Sequence, residues 1–128
     1  MRLLLDTHTF LWFVQNDPQL SESAATLIEG DTNEIWLSVA SAWEMAIKVS
    51  IGKLVLAQPL DIYLPDQLRR NGIQLLPISL PRVLGVTALP LHHQDPFDRL
   101  LAAQSLTEPM PLISTDAIFD LYGTQRLW

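Results

Sequence analysis

A three-layer α/β/α sandwich with a parallel central sheet is the fold class this sequence predicts, on three observations. Short uninterrupted apolar runs alternate with segments of helical period, the pattern of strands buried on both faces and crossed over by helices. The 128 residues are 48% hydrophobic, enough for one compact domain, residues 1–128, with a substantial core. Four acids, Asp6, Glu44, Asp98 and Asp116, stand where such runs end or where the next helix opens. In an open α/β sheet that rim is where ligands bind.

The elements follow in order. Arg2–Asp6 reads as a buried parallel strand because three leucines run without interruption. Thr7–Gln15 reads as a helix, with Phe10, Leu11 and Val14 at helical spacing, broken by Asn16-Asp17-Pro18. Ser21-Glu22-Ser23 starts a second helix, Ala24–Glu29, that Gly30 ends. Glu34–Ser38 is a second strand. Ser41-Ala42-Trp43-Glu44 matches a capping box and opens a helix to about Ser50, stopped by Gly52. Leu60–Arg70 is a helix closed by Asn71-Gly72. Ile73–Ile78 is a third strand, cut by Pro77, and Pro81–Ala88 a short helix. Asp95-Pro96-Phe97-Asp98 begins a helix through Leu106, with Pro96 suited to its first position. Pro111–Ser114 is a fourth strand, Ala117–Tyr122 a short helix and Arg126–Trp128 a last strand.

Composition narrows the function classes. The chain has no cysteine, so disulfides, thiolate zinc sites and cysteine nucleophiles are excluded. A net charge of −6, from 14 acids and 8 bases, argues against a protein that simply coats nucleic acid. It leaves room for a metal-dependent nuclease, whose site is built of acids and whose bound cations invert the local charge. A single Arg before Leu3-Leu4-Leu5-Asp6 is no signal peptide. No apolar run reaches the ~20 residues of a membrane span. The expectation is a cytoplasmic protein without a membrane partner.

Each acid also has a plain structural reading. Asp6 could cap the helix after it, yet it lies flush against a three-leucine strand with no base beside it, and such a charge needs a partner. Glu44 is accounted for locally by the capping box and by Lys48 four residues on. Asp95 suits an N-cap and Asp98 the third helical position, so either one, or both, could serve a site. Asp116 precedes a short helix, with the hydroxyls of Ser114 and Thr115 beside it, while Asp120 is expected to face solvent. Four acids sharing one rim would repel one another and resist ionisation unless a cation neutralised them. A divalent-metal site accounts for all four together.

Other chemistry finds little support. His8, His92 and His93 flank the acids, but without cysteine or a spaced histidine pair a zinc site is poorly supported, and supporting roles are expected of them. There is no Gly-rich phosphate loop and no nucleophile elbow. Asp6-Thr7-His8-Thr9 lacks the second aspartate that a phosphatase with an aspartyl nucleophile would place there. Trp12, Trp36, Trp43 and Trp128 are expected in the core or at interfaces.

Four blocks, LLLDTHTFLW, LSVASAWEMAIK, HHQDPFDRLLAAQ and LISTDAIF, resemble in order and spacing those of PIN-domain proteins, most nearly the VapC-type toxins of bacterial toxin–antitoxin modules. The blocks span nearly the whole chain, and the closing YGTQRLW resembles that group's short final strand. The resemblance implies a parallel sheet with its first strand central. It implies a Mg²⁺- or Mn²⁺-dependent ribonuclease that cuts RNA, pairs as a homodimer and is silenced by a cognate antitoxin. By motif, Asp6, Glu44, Asp98 and Asp116 are the four acids of the family site. Ser114 matches the hydroxyl residue that precedes the fourth acid by two. Asp6 and Asp98 are expected to ligate directly, and Glu44 and Asp116 to act through water or a second metal. The alternative is a PIN-like binding or regulatory module with little nuclease activity, which the acidic charge favours. Because Trp12, Phe13, Leu20 and Leu27 exceed what one short helical face can bury, an apolar partner groove is expected between the N-terminal helices and the Glu44 helix.

Overall fold

A computed structural model describes residues 1–128. Five parallel strands, β1 (Arg2–Leu5), β2 (Glu34–Ser38), β3 (Gln74–Leu76), β4 (Leu112–Ile113) and β5 (Arg126–Leu127), lie in the order β3-β2-β1-β4-β5. The first strand is central, as the resemblance implied. Arg2 to Leu5 pair with Glu34 to Leu37, and Leu4 and Leu5 pair on the other side with Leu112 and Ile113.

Successive side chains of a strand point to opposite faces, and β1 uses this to build two cores. Leu3 and Leu5 join Phe10, Ile28, Leu37, Met45, Leu64 and Ile113 on one face. Leu4 joins Leu101, Met110, Leu112 and Phe119 on the other. The three leucines are wholly buried, each worth about 1.5–3 kcal/mol of transfer free energy. The first face is covered by α1 (Thr7–Val14), α2 (Glu22–Glu29), α3 (Val39–Ser50) and α4 (Leu60–Asn71). The second is covered by α6 (Pro96–Thr107) and α7 (Ile118–Leu121), with α5 (Leu80–Gly85) packed on α6. These are the three layers expected of the sequence.

Where expectation and structure differ, the reasons are local. The helix expected from Ser41 begins at Val39, capped by Ser38, whose side chain accepts from the Ala40 amide at 3.0 Å. The S-x-x-E match is therefore not a capping box. Ser41 lies in the first turn and Glu44 in the second, because β2 runs into α3 without a loop and the serine that ends the strand is itself the cap. The strand Ile73–Ile78 shortens to Gln74–Leu76, since only Gln74, Leu75 and Leu76 find partners on β2. The expected helix over 81–88 divides into α5 and a tighter 3₁₀ turn, Val86–Ala88. Gly72 ends α4 at φ +63°, a left-handed conformation that suits glycine, as Asn71-Gly72 implied.

The expected apolar groove lies elsewhere. Phe13, Leu20 and Leu27 pack half-buried against the core, and Trp12 stands edge-on to Trp128 at 5.9 Å. The groove that does open, about 500 Å³, runs between α3 and α4 along Ala42, Ala46, Val49, Leu60 and Leu64. No helix is long and apolar enough to cross a membrane.

Candidate active site

The chain leaves β1 toward β2 on one side, and leaves β4 toward β5 on the other. Connections diverge at the carboxyl ends of these adjacent strands, which opens a crevice there. Asp6 follows β1 and Asp116 follows β4, so both stand at its mouth.

Asp6 is buried and capped twice. Its Oδ1 accepts from the Thr9 amide at 2.8 Å, and its Oδ2 accepts a short hydrogen bond from the Ser114 hydroxyl. The Thr9 hydroxyl donates to the Ile113 carbonyl at 2.9 Å, tying the start of α1 to β4. No base reaches Asp6; a helix N-terminus and a hydroxyl supply its partners. Ser114 also accepts from the Asp116 amide at 3.0 Å, and Asp116 Oδ1 accepts from the Ile118 amide at 3.0 Å. One serine thus joins two of the acids.

Glu44 is oriented from two sides. Thr7 Oγ1 donates to Glu44 Oε1 at 2.6 Å and lies 3.0 Å from Ser41 Oγ, while Lys48 Nζ sits 3.1 Å from Glu44 Oε2. Asp95 caps α6, accepting from the Phe97 and Asp98 amides at 3.0 and 3.1 Å. Asp98, in the first turn, takes its one hydrogen bond from His93 Nε2 at 3.4 Å. Its carboxyl is pushed up to about 6 from the ordinary 3.8, by burial first and then by Asp95, with Glu44 and Asp116 adding and the His93 bond opposing.

These groups line one cavity of about 360 Å³ that no hydrophobic residue enters: Asp6, Thr7, His8, Glu44, Lys48, Asp95, Asp98, Thr115 and Asp116. All four acids singled out from the sequence converge there, with Asp95 beside them. Asp120 points away and pairs with Arg126 at 2.9 Å. Five carboxylates face one ammonium, and Lys48 is already engaged by Glu44. Apart from the His8 imidazole, the groups able to bind a cation are carboxylate and hydroxyl oxygens, which suit a hard divalent cation. No three acidic or histidine side chains are arranged to grip an ion directly.

Thr7, Ser41 and Tyr122 carried no functional weight in the sequence. Thr7 left a faint signal: two threonines in a first helical turn are poor helix formers and invite another purpose. For Tyr122, far along the chain from the other acids' partners, there was none.

The PIN-domain family profile matches residues 3–124. The chain belongs to the PIN-domain family. It is 38% identical over 66 residues to Ribonuclease VapC16 of Mycobacterium tuberculosis, covering 48% of this chain and 47% of that protein, so the match spans about half the length of that relative. Its fold resembles that in the crystal structure of VapBC2 from Rickettsia felis bound to a DNA fragment from their promoter, with TM-score 0.70 and 16% identity over 95% of this chain and 93% of the other. It also resembles FitAcB from Neisseria gonorrhoeae, with TM-score 0.64 and 18% identity over 100% and 97% of the two chains. Identity this low speaks to the fold of the PIN domain alone.

Proposed function

We propose that this PIN domain is a divalent-cation-dependent ribonuclease, the toxin of a bacterial toxin–antitoxin module, hydrolysing RNA phosphodiester bonds in the cytoplasm. Asp6, Glu44, Asp98 and Asp116 are its working carboxylates. The observation that carries the reading is the cavity at the sheet's switch point, lined by no hydrophobic residue and by acids from four separate segments. The partly ribonuclease-matched sequence and the VapBC-like fold agree with it.

Mg²⁺ or Mn²⁺ bound there would neutralise charge developing on the phosphate and make a coordinated water easier to deprotonate. Asp6 and Asp98 serve as direct ligands. Asp6 is fixed for this by the Ser114 hydroxyl and Thr9 amide. Glu44, held by Thr7 and Lys48, and Asp116, held by the Ile118 amide, orient water or support a second cation. Asp95 holds the start of α6 and raises the local negative charge.

A homodimer and an antitoxin complete the proposal. Val39, Trp43 and Ile47 on α3 and Ile51 at its C-cap recur every four residues and stay exposed, Trp43 by 60%. Such a stripe supports a two-fold contact between copies. The α3–α4 groove is the surface best suited to an antitoxin segment.

One observation favours the binding-module alternative. Six of the eight bases, Arg2, Lys48, Arg69, Arg70, Arg82 and Arg126, already pair with acids of this chain, leaving little positive surface for RNA. Cleavage of a mixed RNA pool by purified protein, with and without chelator, decides between them. Metal-dependent cleavage that disappears in Asp6→Asn is expected; equal cleavage by that variant, with contaminating nuclease excluded, refutes the assignment.

A further inference from the structure

Behind the acidic cavity, Asp98 is backed by a row of groups that the four-carboxylate reading leaves unused. Arg99, its neighbour in α6, turns the other way. Its Nη1 donates to the Pro90 carbonyl at 2.9 Å, and its Nη2 to the carbonyls of Val86 at 3.3 Å and Leu89 at 3.5 Å. The segment from Pro90 to Asp95 belongs to no helix or strand, so this clamp sets its course. The same Nη1 donates to Tyr122 Oη at 3.2 Å.

The direction of the next bonds follows from what each group can do. A guanidinium only donates. Tyr122 Oη therefore accepts from Arg99, and the one protein acceptor within reach of its own proton is His93 Nδ1, at 2.6 Å. A neutral imidazole that accepts at Nδ1 carries its proton on Nε2. Nε2 faces Asp98 Oδ2 at 3.4 Å and donates to it. The other oxygen of Asp98 has no protein partner, and the residue lines the cavity. Tyr122 is buried, with the His92 ring edge-on at 5.1 Å, so its hydroxyl is held in place.

We propose that Arg99, Tyr122 and His93 are positioning residues: the chain Arg99–Tyr122–His93 locks His93 in its Nε2–H tautomer, which pins one oxygen of Asp98 and leaves the other for a divalent cation. This rests on the cation-site reading above. It is the arrangement by which outer partners commonly orient a ligating carboxylate. It also gives the His92-His93 loop a purpose, since the loop carries the donor that Asp98 would otherwise lack.

Two measurements test it. The first is ¹⁵N NMR of the imidazole of the metal-free protein at about pH 8, above the ordinary titration of histidine. The wild type should show His93 protonated at Nε2, and Tyr122→Phe, which keeps the ring and removes the hydroxyl, should show mixed tautomers. A wild-type His93 protonated at Nδ1 overturns the proposal. The second is Mn²⁺ titration followed by water-proton relaxation, in the wild type, Tyr122→Phe, His93→Ala, His93→Gln and Asp6→Asn, each checked for fold by circular dichroism. Affinity should fall about 10–100-fold in Tyr122→Phe and His93→Ala, and His93→Gln, whose amide N–H can replace Nε2–H, should recover most of it. Binding lost in Asp6→Asn yet unchanged in His93→Ala overturns this inference alone. A wild type that binds no Mn²⁺ overturns it together with the cation-site reading.

Discussion

Asp98→Asn removes one charge from the cavity at almost constant volume, and its effect on stability should be opposite to its effect on function. The Asp98 carboxyl is pushed up to about 6 from 3.8, chiefly by burial and by the neighbouring Asp95. At 1.36 kcal/mol per pH unit that gap corresponds to about 3 kcal/mol. The side chain is 23% exposed, and solvent screening brings the figure to ~1–2 kcal/mol. The sign follows from proton binding. Folded protein holds this proton more tightly than unfolded chain, so the wild type loses stability as pH rises from 3.8 through about 6. Above that range the penalty is complete. Asparagine carries no such penalty. In chelator at about pH 8 the variant should be more stable by ~1–2 kcal/mol, or ~3–10 °C in melting temperature for a chain of this size. The advantage should shrink as pH falls through 6 and vanish below 3.8. Added Mn²⁺ should reverse the order, since a ligand at a hundred times its dissociation constant stabilises the wild type by ~2.7 kcal/mol. Differential scanning calorimetry over pH, with and without Mn²⁺, reads all of this. A variant less stable than the wild type at high pH in chelator, or a difference that does not change with pH, refutes the reasoning.

The other predictions concern the supports around the acids. Thr7→Val deletes the hydroxyl that holds Glu44 Oε1 and reaches the buried Ser41 hydroxyl; a roughly 10-fold loss of RNA cleavage is expected, as for other outer-partner losses, with a stability loss of ~1–3 kcal/mol by chemical denaturation. Ser114→Ala strips a buried partner from both Asp6 and the Asp116 amide, and chemical denaturation should show a loss of ~1–3 kcal/mol. Asp95→Asn keeps a side chain able to cap α6, so cleavage should persist; an inactive Asp95→Asn beside an active Asp98→Asn would reverse the roles given to the two acids. Trp43→Glu places a charge on the exposed stripe of α3, and light scattering should report a shift from dimer to monomer.

The layers and the convergence of the acids were legible because they depend on patterns that survive in one dimension, whereas the central place of β1 came only from the family resemblance. Leu3-Leu4-Leu5 reads as a strand covered on both faces, and an acid directly after such a strand falls on the rim at the sheet's carboxyl end. The start of α3 was not legible. Ser38 and Ser41 are equally good caps, and Val39 reads as more strand; only pairing of Ser38 with Leu76 across the sheet decides where β2 stops. The groove was misplaced for a similar reason. The half-buried apolar residues of α1 and α2 find the common core and Trp128, and no local pattern records that. The His93–Tyr122 bond joins residues 29 apart in sequence, and nothing near either one announces the other.

Capping and the proposed function fall on the same residues here, which is why no single acid could be assigned from its own neighbourhood. Asp6 caps α1, Asp95 caps α6, Asp98 sits in the first turn of α6 and Asp116 accepts from the amide that opens α7. Each acid thereby meets the positive end of a helix, which offsets about 0.3–1 kcal/mol of its cost. A cap needs only its own helix, however, and caps scattered over the surface would stabilise the helices equally well. What capping leaves unexplained is that the starts of α1 and α6 and the turn into α7 bring their acids to one cavity, where Glu44 from the second turn of α3 joins them. Helix ends and one lysine compensate most of that charge individually. Asp98 keeps a carboxyl pushed up by burial and by Asp95, and its relief by a cation is the outcome on which the functional reading turns.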